Sequence, residues 1–85
     1  MQVYNKIITD DQIHAAREAM KMRHGTLPGF KTSHVEHALI EAGVEEVNDS
    51  WQQVSWRAAE RLVQGAQEAG EIEWDKGERC WVLTN

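Results

Sequence analysis

The chain has one cysteine, Cys80, and one proline, Pro28. A single cysteine excludes an internal disulfide framework and a cysteine-based zinc finger, and it points to a reducing cytoplasmic setting. No stretch approaches the roughly 18 apolar residues of a membrane span, and Met1 to Asp10 lacks the apolar run of a signal peptide. Basic residues are in the minority, 9 Lys and Arg against 14 Asp and Glu, for a net charge of −5. That balance argues against a protein that coats polyanions, because phosphate contacts need clustered Lys and Arg. Glycine-rich phosphate loops, nucleophile elbows and repeats are also missing. What is present is enough apolar residue for a fold: 41% hydrophobic and four tryptophans in 85 residues. A chain of this length has room for one small core and is read as a single domain, 1–85.

The charge is unevenly placed. Arg17, Lys21, Arg23 and Lys31 are opposed locally by Glu18 alone, whereas Glu36, Glu41, Glu45, Glu46 and Asp49 have no basic residue between them. Such runs are either solvated faces or a polarised surface that orients a partner.

Residues 1–8 read as a short extended arm. A first helix is expected after Thr9, which has capping-box spacing to Gln12, with Ile8 and Ile13 placed as a hydrophobic staple. Asp10 and Asp11 suit the positive end of its dipole, Arg23 and His24 the negative end. Ile13, Ala16 and Met20 form its apolar stripe, and Gly25 is the expected stop. Gly25 to Lys31 is a turn-rich connection in which Phe30 should plug the core. A second helix is expected from a Ser33/Glu36 capping box, with Val35, Ala38, Leu39 and Ala42 inward. Gly43 should stop it, folding Val44 back on Leu39. The third helix is expected to be capped by Asp49 or Ser50 and ended by Gly70. Its inward line is Trp51, Val54, Ala58, Leu62, Gly65, Ala66 and Ala69, with Trp56, Ala59 and Val63 as a second apolar seam. Gln53, Arg57, Glu60, Gln64 and Glu68 form the solvated face.

Residues 71–83 read as a hairpin, with strands at Glu71 to Trp74 and Arg79 to Leu83. Gly77 is placed to take positive φ in the turn. A two- or four-residue loop puts Ile72, Trp74, Trp81 and Leu83 on one face; a bulged three-residue loop groups Ile72, Trp74, Cys80 and Val82. The first is expected, since it would bury both tryptophans. Trp51, Trp74 and Trp81 are therefore assigned to the core. Trp56 lies either under the hairpin or exposed as a contact anchor. The fold class is mainly α with a small β-hairpin, α+β.

The stretch from Arg57 to Leu83, "RAAERLVQGAQEAGEIEWDKGERCWVL", resembles the recognition helix and wing of the winged helix-turn-helix superfamily. The resemblance rests on Glu68-Ala69-Gly70, Ile72, the glycine turn at Gly77 and the returning aromatic Trp81. With the helix order it extends over Thr9 to Leu83. It implies a three-helix domain with a C-terminal wing, and a transcriptional regulator that reads duplex DNA as a homodimer. Carried onto this chain, Ser50, Gln52, Gln53 and Arg57 would face bases or phosphates. Lys76 at the wing tip would reach a phosphate, and Lys31 and Ser33 would meet the backbone near the second helix.

Three departures weigh against a tight monomeric DNA complex. The 43–49 connection exceeds a tight turn, it carries Glu45, Glu46 and Asp49, and the wing is net negative. A like-charge encounter costs on the order of 4 kcal/mol before salt screening. The alternative reading is a protein–protein interaction module without direct DNA contact, presenting Glu41, Glu45, Glu46, Asp49 or Trp56. Other candidates have plainer explanations. His34, His37 and Glu41 lie on adjacent turns but match no metal signature, so no metal or cofactor is expected. Cys80 has the setting of a buried structural thiol. Ser33, Ser50 and Ser55 lack a catalytic context, so an enzyme is not expected.

Overall fold

The computed structural model describes residues 1–44 and 53–84. Among these, the protein is a small α+β structure: hairpin β1 (Gln2–Val3) and β2 (Lys6–Ile7), helices α1 (Asp10–Lys21), α2 (Thr32–Glu41) and α3 (Val54–Glu68), then hairpin β3 (Ile72–Asp75) and β4 (Cys80–Leu83). No helix among the described residues is long and apolar enough to cross a membrane.

The expected extended arm is extended but folds back on itself. Gln2 pairs with Ile7 and Val3 with Lys6, and Met1 and Ile8 continue the ladder through Ile8 N–H to Met1 O at 2.7 Å. Val3 and Ile8 are both buried, which fastens the hairpin to the helices.

Helix α1 starts as its sequence dictates. Gln12 N–H donates to Thr9 Oγ1 at 3.2 Å and Thr9 N–H donates to Gln12 Oε1 at 3.0 Å, a reciprocal box that satisfies two free amides. The same Gln12 donates through Nε2 to Ala42 O at 3.3 Å, tying the start of α1 to the end of α2. The helix stops earlier than Gly25, at a Met22 cap with extended backbone. His24 Nε2 lies 2.6 Å from Ala19 O and satisfies that carbonyl by donation, so Gly25 turns the connection (φ +61) rather than closing the helix.

Helix α2 is capped differently from the Ser33/Glu36 expectation. Its N-cap is Lys31, whose N–H donates to His34 Nδ1 at 2.9 Å; Ser33 therefore sits inside the first turn. The imidazole, placed third in the helix, supplies the acceptor that a carboxylate or amide supplies in the usual box. The other end matches the sequence. Gly43 has φ +94, its N–H donates to Ile40 O, and Val44 N–H donates to Leu39 O, both at 3.0 Å. This is a Schellman closure, with Val44 and Leu39 both buried.

Helix α3 has Gln53 as its N-cap, so Gln53 precedes the helix instead of riding on its face. Asp49, Ser50 and Trp51, to which cap and core roles were assigned, lie outside the described residues. The buried stripe falls between the two expected seams: Val54, Ser55, Ala58, Ala59, Val63 and Ala66. Gly65, Ala69 and Trp56 stand in solvent instead. Alanines permit close approach where α2 packs against α3, and Phe30, Val35 and Leu39 fill the space with no exposed surface.

The second hairpin has a four-residue loop and pairs Ile72 with Leu83 and Trp74 with Trp81. This is the expected register, but not for the expected reason. Trp74 is 47% exposed and Leu83 48%, while Trp81 is half-buried. The buried side changes face along the hairpin, from Ile72 at one end to Cys80 of the opposite face at the other, and the two indoles cover each other edge to face, centroids 5.2 Å apart. In the loop, Asp75 Oδ1 accepts from Gly77 and Glu78 N–H at 2.9 and 3.1 Å. The positive φ, +54, falls on Arg79 and not on Gly77.

A backbone bridge joins this hairpin to the α1–α2 connection. Phe30 pairs with Trp81 through N–H to O bonds of 2.9 and 2.7 Å. The neighbouring Gly29 packs so closely that a Cβ would stand 1.8 Å from Trp81 O.

Candidate nucleic-acid interface

The outward face of α3 forms the middle of the candidate surface. Arg57, Glu60, Gln64 and Glu68 are all exposed there, with Gln53 exposed at its start. Their interactions are local and loose: Arg57 Nη1 lies 3.9 Å from Glu60 Oε1, and Gln64 Nε2 donates to Glu68 Oε1 at 3.3 Å. Exposed pairs of this kind contribute little to stability and release their partners readily.

Grooves flank this face on both sides. One, of about 230 Å³, is bounded by Thr32 at the start of α2 and Trp81 of β4, with Gln64 and Gln67 on the helix side. The other, of about 350 Å³, lies between α3 and the first hairpin, lined by Gln2, Val3, Tyr4, Asn5, Arg57 and Arg61. Arg57 belongs to both and stands on the ridge between them.

Of the sequence-designated DNA contacts, Gln53 and Arg57 lie together on or beside α3. Lys31 and Ser33 are exposed at the start of α2, and Lys76 is exposed in the β3–β4 loop. Ser50 and Gln52 lie outside the described residues. Of the alternative protein-binding set, Glu45, Glu46 and Asp49 also lie outside them. Glu41 is exposed and 3.8 Å from His37, and Trp56 is 38% exposed. The basic run on α1 is partly neutralised: Arg17 lies 3.8 Å from Glu71 and Lys21 3.8 Å from Glu18.

Two features escaped the sequence reading. Arg61 was not singled out, yet its Nη1 donates to Gln2 O at 2.6 Å and it lines the groove with Arg57. The helical spacing of 57 and 61 hinted at this, but the folded-back arm that makes the opposite wall did not show. The second is a histidine stack: the His24 and His34 rings lie 4.0 Å apart and nearly parallel. Burial, then the neighbouring His24, Lys31 and His37, hold the His34 pKa below its ordinary 6.5. Among the described residues no group of three His, Cys, Asp or Glu is placed to hold a metal, and Cys80 is a free, buried thiol.

No family model, curated protein or solved structure matches this chain.

Proposed function

We propose that the protein is a small winged helix-turn-helix DNA-binding protein, a transcriptional regulator that reads duplex DNA through α3 and its C-terminal hairpin, acting as a homodimer. The observation that carries this reading is the uncovered face of α3, with Gln53, Arg57 and Gln64 exposed together. Gln and Arg make bidentate contacts to adenine and guanine edges. The order of helices and hairpin, with the α1–α2 connection paired to β4, also supports it, as do Lys31 and Lys76, exposed at the start of α2 and in the β3–β4 loop. The acidic hairpin makes dimerisation part of the proposal: two copies combine their basic residues while the acidic edges turn away from the duplex.

The test is fluorescence anisotropy with pooled random duplexes at about 50 and 200 mM salt, where phosphate neutralisation produces a steep loss of affinity. Binding that weakens with salt is expected. Arg57→Ala should then cost about 1–3 kcal/mol on a selected site. A folded protein with no affinity at the lower salt, and no sequence recovered by selection, refutes the reading.

Trp56 favours a second reading. It is a large aromatic, 38% exposed on α3, and such side chains anchor protein interfaces. In that case the chain is an interaction module, and replacing Glu45 and Glu46 with Lys abolishes partner capture. Retention of every partner by that variant excludes it.

A further inference from the structure

The groove between the first hairpin and α3 has an unusual lining for so acidic a chain. Two arginines, Arg57 and Arg61, enter it one helical turn apart, and no carboxylate is among the described residues that bound it. Glu60 approaches Arg57 only at 3.9 Å, with both side chains about half exposed. Arg61 is already oriented: one of its five N–H donors is committed to Gln2 O at 2.6 Å. A guanidinium fixed in this way keeps donors for an incoming oxyanion and loses little freedom on binding it.

The opposite wall adds an independent observation. Tyr4 and Asn5 form the two-residue tip of the hairpin with φ of 47° and 67°. Both positions call for left-handed backbone, which Asn and Gly adopt most easily in such turns. Tyrosine adopts it against its steric preference, and strain of this kind gathers at sites that use the side chain. Tyr4 is 46% exposed and lines the arginine groove.

We propose that this groove is a phosphate clamp for DNA. Arg61 donates to backbone phosphodiester oxygens of the strand that runs past α3, Tyr4 packs on the adjoining sugar, and Arg57, on the ridge above them, adds its positive charge while keeping its donors for a base edge. The inference rests on the DNA-binding reading above and deepens it: the first hairpin is a second arm that fixes the register of α3 on the duplex.

The experiment compares wild type, Arg61→Gln, Arg61→Lys and Tyr4→Gly in duplex anisotropy across a salt series, with amide NMR spectra of each variant. A parallel NMR titration uses inorganic phosphate alone. Arg61→Gln should weaken duplex binding roughly tenfold and reduce the salt slope by about 0.9. Arg61→Lys, which keeps the charge, should restore the slope. Tyr4→Gly suits the left-handed turn, keeps the hairpin folded and should weaken binding several-fold; it remains informative if Arg61→Gln disturbs the hairpin. Duplex binding with affinity and slope unchanged in Arg61→Gln and Tyr4→Gly overturns the clamp and leaves the DNA reading standing. No duplex binding, with phosphate shifting the Tyr4, Asn5 and Arg61 amides, overturns both the DNA reading and the clamp, and marks an anion site for another ligand. Neither duplex binding nor phosphate shifts overturns both and leaves no anion site.

Discussion

Replacing Gly29 with alanine should destabilise the protein far more than the loss of a loop glycine suggests. The added Cβ would meet Trp81 O at 1.8 Å and Trp81 C at 2.8 Å. Both are backbone atoms, so no flexible side chain can yield, and residues 29–30 must withdraw from β4. That breaks the two Phe30–Trp81 hydrogen bonds of 2.9 and 2.7 Å, at about 1 kcal/mol each. It also draws on the burial of Phe30, which has no exposed surface. Complete truncation of a buried phenylalanine costs about 3–5 kcal/mol, and partial displacement a fraction of that. The expected total is about 3 kcal/mol, a large share of the roughly 4–13 kcal/mol typical of a domain this size. The melting temperature should fall by about 12–24 °C. Urea titration followed by tryptophan fluorescence, with thermal circular dichroism, measures both. Gly65→Ala is the control, because nothing lies within 4 Å of the added carbon there. On exposed α3 it should stabilise by about 1 kcal/mol through helix propensity. A Gly29→Ala protein within about 0.5 kcal/mol of wild type, the range of an ordinary surface change, would refute the close-approach argument.

Thr9→Ala should cost about 1 kcal/mol by removing the α1 cap, read from the urea midpoint with an unchanged slope. Stability should decline as pH falls below about 6.5, the ordinary histidine value. The folded state holds His34 neutral with its pKa lowered, so the unfolded chain takes up the proton first; the contribution is whole above that pH and is lost below it. His34→Asn, whose side-chain oxygen can still accept from Lys31 N–H, should flatten this slope, and an identical pH profile would exclude His34 as its source. Cys80 should resist alkylation in the native protein and react at the rate set by opening of the structure; immediate labelling would contradict its burial.

Local rules were legible in the sequence where a few neighbouring residues determine the outcome. The Thr9/Gln12 box, the Gly43 closure, the matching closure at Gly70 (φ +75, with Gly70 and Glu71 N–H donating to Gln67 O and Ala66 O at 3.0 Å), and the pairing of Trp74 with Trp81 all follow from short patterns. Errors arose where distant groups intervene. Ser33 and Glu36 had the spacing of a cap, but His34 reached the Lys31 amide first and was itself stacked on His24, ten residues away. Register did not determine burial in the second hairpin, because the buried side passes from Ile72 to Cys80 on the opposite face and leaves Trp74 exposed. Gly77 looked like the left-handed residue, yet Asp75 holds the amides of 77 and 78 and moves the positive φ to Arg79. For the candidate interface, the polar face of α3 was visible as helical periodicity, and Arg57 with it. Arg61 was not, because its significance depends on an N-terminal segment that folds back to meet it.

The Phe30–Trp81 pairing also bears on the order of folding. The helical boxes and closures span three to six residues and can form early, whereas this bridge joins positions 51 apart in the chain and must wait for a long loop to close. The C-terminal hairpin should therefore dock on residues 29–30 after the helices form and undock before they melt. In hydrogen exchange, the Phe30 and Trp81 amides would then open together, at lower free energy than the amides of Leu39 and Ala58. A ligand that touches both α3 and the hairpin would slow this shared opening without contacting Phe30 at all.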